Sequence, residues 1–123
     1  MATLALIAHD GKKDEIVAWA HLHRSRLLQF DLVATGTTGE RLQSEVGLPI
    51  KRMLSGPMGG DLQIGSLVCT GQVRAVIFMR DPLTAHPHEP DISALLKACD
   101  LYNVPLATNV ASADLLIVGL PTI

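Results

Sequence analysis

Residues 75–79 read Ala-Val-Ile-Phe-Met, five apolar side chains in a row between Arg74 and Arg80. A strand with one wet face alternates apolar and polar residues, whereas a strand covered on both faces reads as an unbroken apolar run. The run is too short for a helix, so it predicts the central strand of a parallel sheet. Working outward, residues 3–8 (Thr-Leu-Ala-Leu-Ile-Ala) form a second such run, and shorter ones follow at 32–34, 50–54 and 106–107. Segments of helical period lie between them. Helices are predicted over 14–23, with Ile16, Val17 and Trp19 or Ala20 inward, and over 39–46, with Leu42 and Val46 inward. Further helices are predicted over 62–69, stopped by Gly71, over 92–102, and over 113–118, capped by Ser112. This alternation predicts an α/β fold: a single-domain, doubly wound (Rossmann-like) sheet of about five mainly parallel strands with helices on both faces.

Composition agrees. The chain of 123 residues is 48% apolar but only 3% aromatic, so aliphatic side chains must fill one core. A net charge of −2 excludes a broad basic surface for nucleic acid or an anionic membrane. Any anion must be bound locally, by a few groups aimed at one point. Cys69 and Cys99 fall in predicted helices and are expected to be free, buried thiols. The first apolar run ends at His9 and Asp10, too soon for a leader peptide, and no run approaches the roughly 20 apolar residues of a membrane span. The expectation is a cytoplasmic protein.

In a doubly wound sheet the ligand sits beyond the carboxyl ends of the strands. The loops there hold the chemistry. Thr35-Gly36-Thr37-Thr38-Gly39 combines backbone freedom with three hydroxyl donors at a helix start, which makes a phosphate cradle or, more plainly, a tight turn with a Thr cap. It is neither a Walker loop nor a dinucleotide fingerprint. Ser55-Gly56-Pro57-Met58-Gly59-Gly60-Asp61 offers donors from a second side. Asp61 there is either a helix cap or a general base, although a helix start tends to lower a carboxylate's pKa and weaken it as a base. The loop from Asp81 to Asp91 has three prolines, His86, His88 and several acids. Metal binding must be weighed, but the prolines keep His86 and His88 from converging and no cysteine is near. Proton transfer by a neutral His88 fits better. The prolines should also prevent helix until Asp91. After the first strand, Lys13 can reach back to an anion, and Asp10 can orient His9 or hold Lys13.

Taken together these residues describe an enzyme that grips a small phosphorylated substrate and moves its protons with carboxylates and histidine. Two rivals explain less. A stand-alone regulatory domain binding a phosphorylated metabolite leaves the acids without work. A metal-dependent hydrolase leaves the two anion loops unexplained.

The same segments resemble the methylglyoxal synthase family: Ala8-His9-Asp10 with Lys13, Ala34 through Gly39, Leu54 through Asp61, Asp81-Pro82-Leu83, Pro87-His88-x-Pro90-Asp91, and Ala107-Thr108-Asn109-Val110-Ala111. They occur in family order along nearly the whole chain, and Ser-Gly-Pro-Met-Gly-Gly-Asp is the most specific. The fold is shared with the regulatory domain of carbamoyl phosphate synthetase. The resemblance implies a lyase that converts dihydroxyacetone phosphate to methylglyoxal and inorganic phosphate, works without metal or organic cofactor, and assembles as a homohexamer. It implies Asp61 as the catalytic acid and Asp10, Asp81 and Asp91 as further acids of the site. Its substrate contacts fall on His9, Lys13, Thr35, Gly36, Thr37, Thr38, Ser55, Gly56 and His88. In that chemistry Asp61 takes a proton from the hydroxymethyl carbon, and His88, oriented by Asp91 or Asp81, helps the developing enediolate. The two anion loops would hold the phosphate for elimination. Many relatives continue past the last apolar helix, whereas this sequence ends at Ile123. On that ground phosphate is expected to inhibit without cooperativity, with a Hill coefficient of about one.

Overall fold

The aliphatic runs become strands where they were expected. In the computed structural model, which describes residues 1–121, β1 is Thr3–Ala8, β2 Asp31–Ala34, β3 Ile50–Arg52, β4 Ala75–Met79 and β5 Leu106–Ala107. Their order is β3-β2-β1-β4-β5 and every neighbouring pair is parallel. All five β4 side chains are buried. Side chains alternate between two cores, as the pleat requires. Leu4, Leu6, Ala75, Ile77 and Met79 pack on one face with Ile16, Trp19, Leu27 and Ile117. Ala5, Ile7, Val76 and Phe78 pack on the other with Ile64, Val68, Ile92 and Leu95.

Those partners come from helices α1 (Lys13–Leu22), α2 (Arg24–Leu27), α3 (Gly36–Arg41), α4 (Gly60–Cys69), α5 (Glu89–Leu101) and α6 (Val110–Gly119). From β1 the chain winds outward to β2 and β3, then returns to place β4 on the other side of β1. That reversal is the switch point, and it opens a crevice above the carboxyl ends of β1 and β4.

Several helix starts differ from the sequence reading, each for a local reason. Residues 36–41 are already helical, and the predicted 39–46 helix ends in a wide π turn at Leu42–Val46, which still buries Leu42 and Val46. The helix predicted from Asp91 begins at Glu89, because Pro90 falls in its first turn, where a missing N–H costs nothing. The last helix is capped by Asn109, whose side chain accepts from the Ser112 N–H at 2.9 Å, so Ser112 receives the cap instead of making it. β3 stops at Arg52, because the Leu54 N–H turns away to the Gln63 side chain at 2.7 Å. Cys99 is buried, but Cys69 is exposed. The expectation attached to Ile123 lies outside the described residues.

Candidate active site

Three strands leave the sheet in the same way. His9 after β1, Thr35 after β2 and Ser55 after the third strand's exit have φ/ψ of −63/158, −68/155 and −63/156. Each takes one extended step and then enters a helical turn, so three sets of turn N–H groups start at the same end of the sheet. No side-chain cap bond is made by His9, Thr35 or Ser55. The Thr and Ser hydroxyls are therefore not spent on the plain turn-and-cap role.

The third junction is shaped by glycine. Gly59 has φ 104, a conformation side chains rarely adopt, and a Cβ on Gly60 would lie 2.0 Å from the Leu54 carbonyl oxygen. Only glycine at both positions lets the chain double back so that Asp61, one residue into α4, points inward.

Together the loops enclose a pocket of about 440 Å³ whose lining includes His9, Lys13, Thr35, Thr37, Ser55, Gly56, Asp61, Phe78, His86 and His88. One wall is a cradle of donors. Lys13 gives two hydrogens to the Ala8 carbonyl and the Asp10 carboxylate, both at 2.9 Å, leaving its third for a ligand. Thr35, Thr37 and Ser55 supply hydroxyls beside it. Asp61 lines the same pocket, fully buried, with neither carboxylate oxygen hydrogen-bonded. Burial pushes its pKa up, Asp91 adds to the rise, and His88 opposes it. His88 Nε2 stands 3.4 Å from Asp61 Oδ2, close but not in hydrogen-bonding alignment.

His9 is the third buried group. Its Nδ1 accepts the Asp81 backbone N–H at 2.8 Å, so the neutral ring carries its hydrogen on Nε2, which has no protein partner. Burial first, and then His86, His88 and Arg80, lower its pKa to about 4, so the ring is uncharged at neutral pH.

Other predicted residues play different parts. Thr38 donates to the Ala8 carbonyl at 3.3 Å and ties α3 to β1 from within the core. The Gly36 N–H donates to the Leu54 carbonyl and joins the two anion loops. Asp10 holds Lys13 and does not orient His9; that contact keeps its carboxyl below the usual range. Asp81 is turned into its own loop, accepting from Leu83 N–H and the Thr84 hydroxyl. Neither Asp81 nor Asp91 holds a ring nitrogen of His88, whose Nδ1 is unpaired. The sequence reading missed Phe78 and, above all, His86, which stacks on His9 with centroids 3.7 Å apart. Among the described residues, no group of three or more His, Cys, Asp and Glu is placed to share a metal ion.

Residues 15–108 match the family of MGS-like domains. Relatives narrow the assignment. Methylglyoxal synthase of Cupriavidus taiwanensis is 66% identical over 95% of this chain and 88% of its own. Methylglyoxal synthase of Thermus thermophilus is 57% identical over 95% and 93%. The crystal structure of methylglyoxal synthase from Elizabethkingia anophelis superposes with a TM-score of 0.89 at 43% identity, covering 94% of this chain and 76% of that one. The chain belongs to the methylglyoxal synthase family.

Proposed function

We propose that this chain is a lyase that converts dihydroxyacetone phosphate to methylglyoxal and inorganic phosphate, with Asp61 as general base. Family membership supports the reaction. The observation that carries the residue assignment is the Asp61 carboxylate, wholly buried and without a hydrogen bond, in one small pocket with Lys13, Thr35, Thr37 and Ser55.

The phosphate lies against Lys13, Thr35, Thr37 and Ser55, and the triose chain runs toward Asp61. The hydroxymethyl carbon sits where Gly56 faces Asp61 and His88. A carboxylate oxygen removes a proton from that carbon, and the electron pair moves onto the neighbouring carbonyl oxygen as an enediolate. The N–H groups of His88 and His9 stabilise that oxygen. The hydroxyl on the deprotonated carbon then becomes the aldehyde, its proton leaving with the phosphate, as the carbon–carbon double bond shifts toward the phosphate-bearing carbon and the C–O bond to phosphate breaks. Inorganic phosphate leaves, and the enolate that remains takes back on its terminal carbon the proton held by Asp61 to become methylglyoxal. The raised pKa of Asp61 makes it a stronger base than an exposed aspartate and so suits a carbon acid. Asp91 adjusts that base through space, while Asp10 and Asp81 hold Lys13 and the His9 loop in place.

Inorganic phosphate, sharing the substrate's anionic end, competes for the same cradle. A homohexamer is the assembly that family likeness supports, and exposed Leu54, Met58 and Leu62, with Leu115 and Val118 on α6, are apolar surface that subunit contacts would cover. No described helix is long and apolar enough to cross a membrane. We place the reaction in the cytoplasm, since phosphorylated trioses do not cross bilayers unaided.

Incubation with dihydroxyacetone phosphate, with and without chelator, tests the reading. Equal yields of methylglyoxal and phosphate, insensitive to chelator, support it. Binding without turnover would make the chain a regulatory module, and chelator-sensitive phosphate release without methylglyoxal would make it a metal hydrolase. Light scattering on the purified protein tests the hexamer.

A further inference from the structure

His86 has no place in the reaction as written, yet it lies against one of its donors. The His9 ring is fixed on three sides. The Asp81 N–H holds Nδ1, the Phe78 ring meets it edge-to-face with centroids 5.0 Å apart at 73°, and His86 covers a face at 3.7 Å and 24°. Nε2 alone is left without a protein partner. His86 brings a buried Nε2 of its own that has no protein partner. We propose that His86 is a positioning residue, which acts by stacking on His9 to hold that ring oriented and neutral, so that its Nε2–H donates to the substrate oxygen without giving up the proton. The proposal rests on the reaction above.

The geometry gives the reason. His86, stacked this closely on His9, discourages protonation of the His9 ring. The remaining charged groups that act on His9 are Arg80, at the end of β4, and His88, which oppose charge, and Glu89, at the start of α5, which favours it weakly. Asp10, which also feels His9, is paired with Lys13. Burial remains the largest influence, and His86 is the next. A neutral N–H is a weak acid. It steadies the enediolate by a hydrogen bond and leaves the intermediate anionic and electron-rich, which favours loss of phosphate. An imidazolium would hand over its proton and leave a neutral, less electron-rich enediol.

The test compares the wild type with His86→Ala and with His86→Phe, which keeps a stacking ring but no titrating nitrogen. Two-bond proton–nitrogen correlation spectra of uniformly ¹⁵N-labelled protein report the tautomer and titration of His9 directly, without substrate. In the wild type His9 should stay neutral and Nε2-protonated across about pH 6–8. His86→Ala should titrate nearer the ordinary imidazole range, show mixed tautomers, and lose kcat by about tenfold with little change in KM. His86→Phe should recover most of that kcat. An unchanged His9 spectrum in folded His86→Ala overturns the proposal, as does a loss confined to KM, which would make His86 a direct substrate contact. If His86→Ala fails to fold, a folded His86→Phe that keeps the wild-type His9 spectrum yet loses kcat by about tenfold overturns it equally. Failure of the wild type to make methylglyoxal would sink the reaction instead, and the spectra would still decide whether His86 governs His9.

Discussion

Replacing Gly56 by alanine puts one methyl group where the fold has room for a hydrogen. Its Cβ would stand 3.0 Å from His88 Nε2 and 3.5 Å from each Asp61 oxygen. Ordinary carbon contacts begin near about 3.5 Å, so only the histidine is crowded, and it must give way by a few tenths of an ångström. Gly56 is not among the glycines with positive φ, so the backbone accepts alanine without strain. Mild overpacking of this kind costs about 1–2 kcal/mol, a fall in Tm of about 3–8 °C for a chain this size. Catalysis should suffer far more. The methyl would touch both oxygens of the base, on the side where the reacting carbon must approach to about 3–3.5 Å. A displacement of about 1 Å can cost about 100-fold, so kcat/KM should drop by at least that factor, mostly in kcat. Initial rates of methylglyoxal and phosphate release, with a thermal melt on the same preparation, measure both quantities. A folded Gly56→Ala that keeps more than about a tenth of wild-type kcat/KM would refute the placement of the substrate carbon between Gly56 and Asp61.

Three further outcomes follow from the site. Asp61→Asn should lose about 10²–10⁴-fold in rate and yet melt higher than the wild type at neutral pH. Its folded pKa is raised above 3.8, so the folded state holds the proton more tightly than the unfolded chain. Stability therefore declines as pH rises through the window between those values and is flat above it. The mutant's advantage should vanish below the ordinary carboxylate range, and the acid limb of wild-type turnover should lie above that range; a lower limb would transfer the base role to another acid. Thr37→Ala and Ser55→Ala should each weaken calorimetric binding of substrate and inorganic phosphate together, by about 1–3 kcal/mol, and unchanged affinity for both would reduce the loops to structural turns. Gly60→Ala drives a methyl to 2.0 Å from the Leu54 oxygen and should lower stability by more than about 3 kcal/mol in a denaturant titration. A wild-type midpoint would mean that the turn holding Asp61 can shift freely.

The strands were legible because burial on both faces removes the polar half of the pattern, as at Ala75–Met79 and Thr3–Ala8. Helix starts were less so, because sequence rules look for side-chain caps. Here the backbone supplied the start at Thr35, Ser55 and Gly59, and only Asn109 capped with its side chain. That the threonine loop, the Ser55 loop and Asp61 would share one pocket could be read from residue type, since the topology brings every strand's carboxyl end to one side. The roles of the remaining acids could not. Whether Asp81 faces a ligand or closes its own turn depends on rotamers, although Asp-Pro-Leu-Thr does carry an Asx-turn signal. His86 escaped because a proline-rich loop gives no period from which to read direction. Its one available clue was that three histidines fall in loops flanking the same switch point.

The central place of β1 has a consequence for how the protein is made. Synthesised before either of its neighbours, β1 is paired on one side by β2 but must wait for β4, translated about 70 residues later, to cover the other. Until Ala75–Met79 has emerged, Leu4, Leu6 and Ile7 lie along an open, uncharged edge, the kind of surface that recruits strands from other chains. Nascent chains halted before residue 75 should therefore be held by chaperones or aggregate, whereas chains released after β4 has docked should not. The crevice thus opens above a seam that can close only after β1, β2 and β3 have all been made.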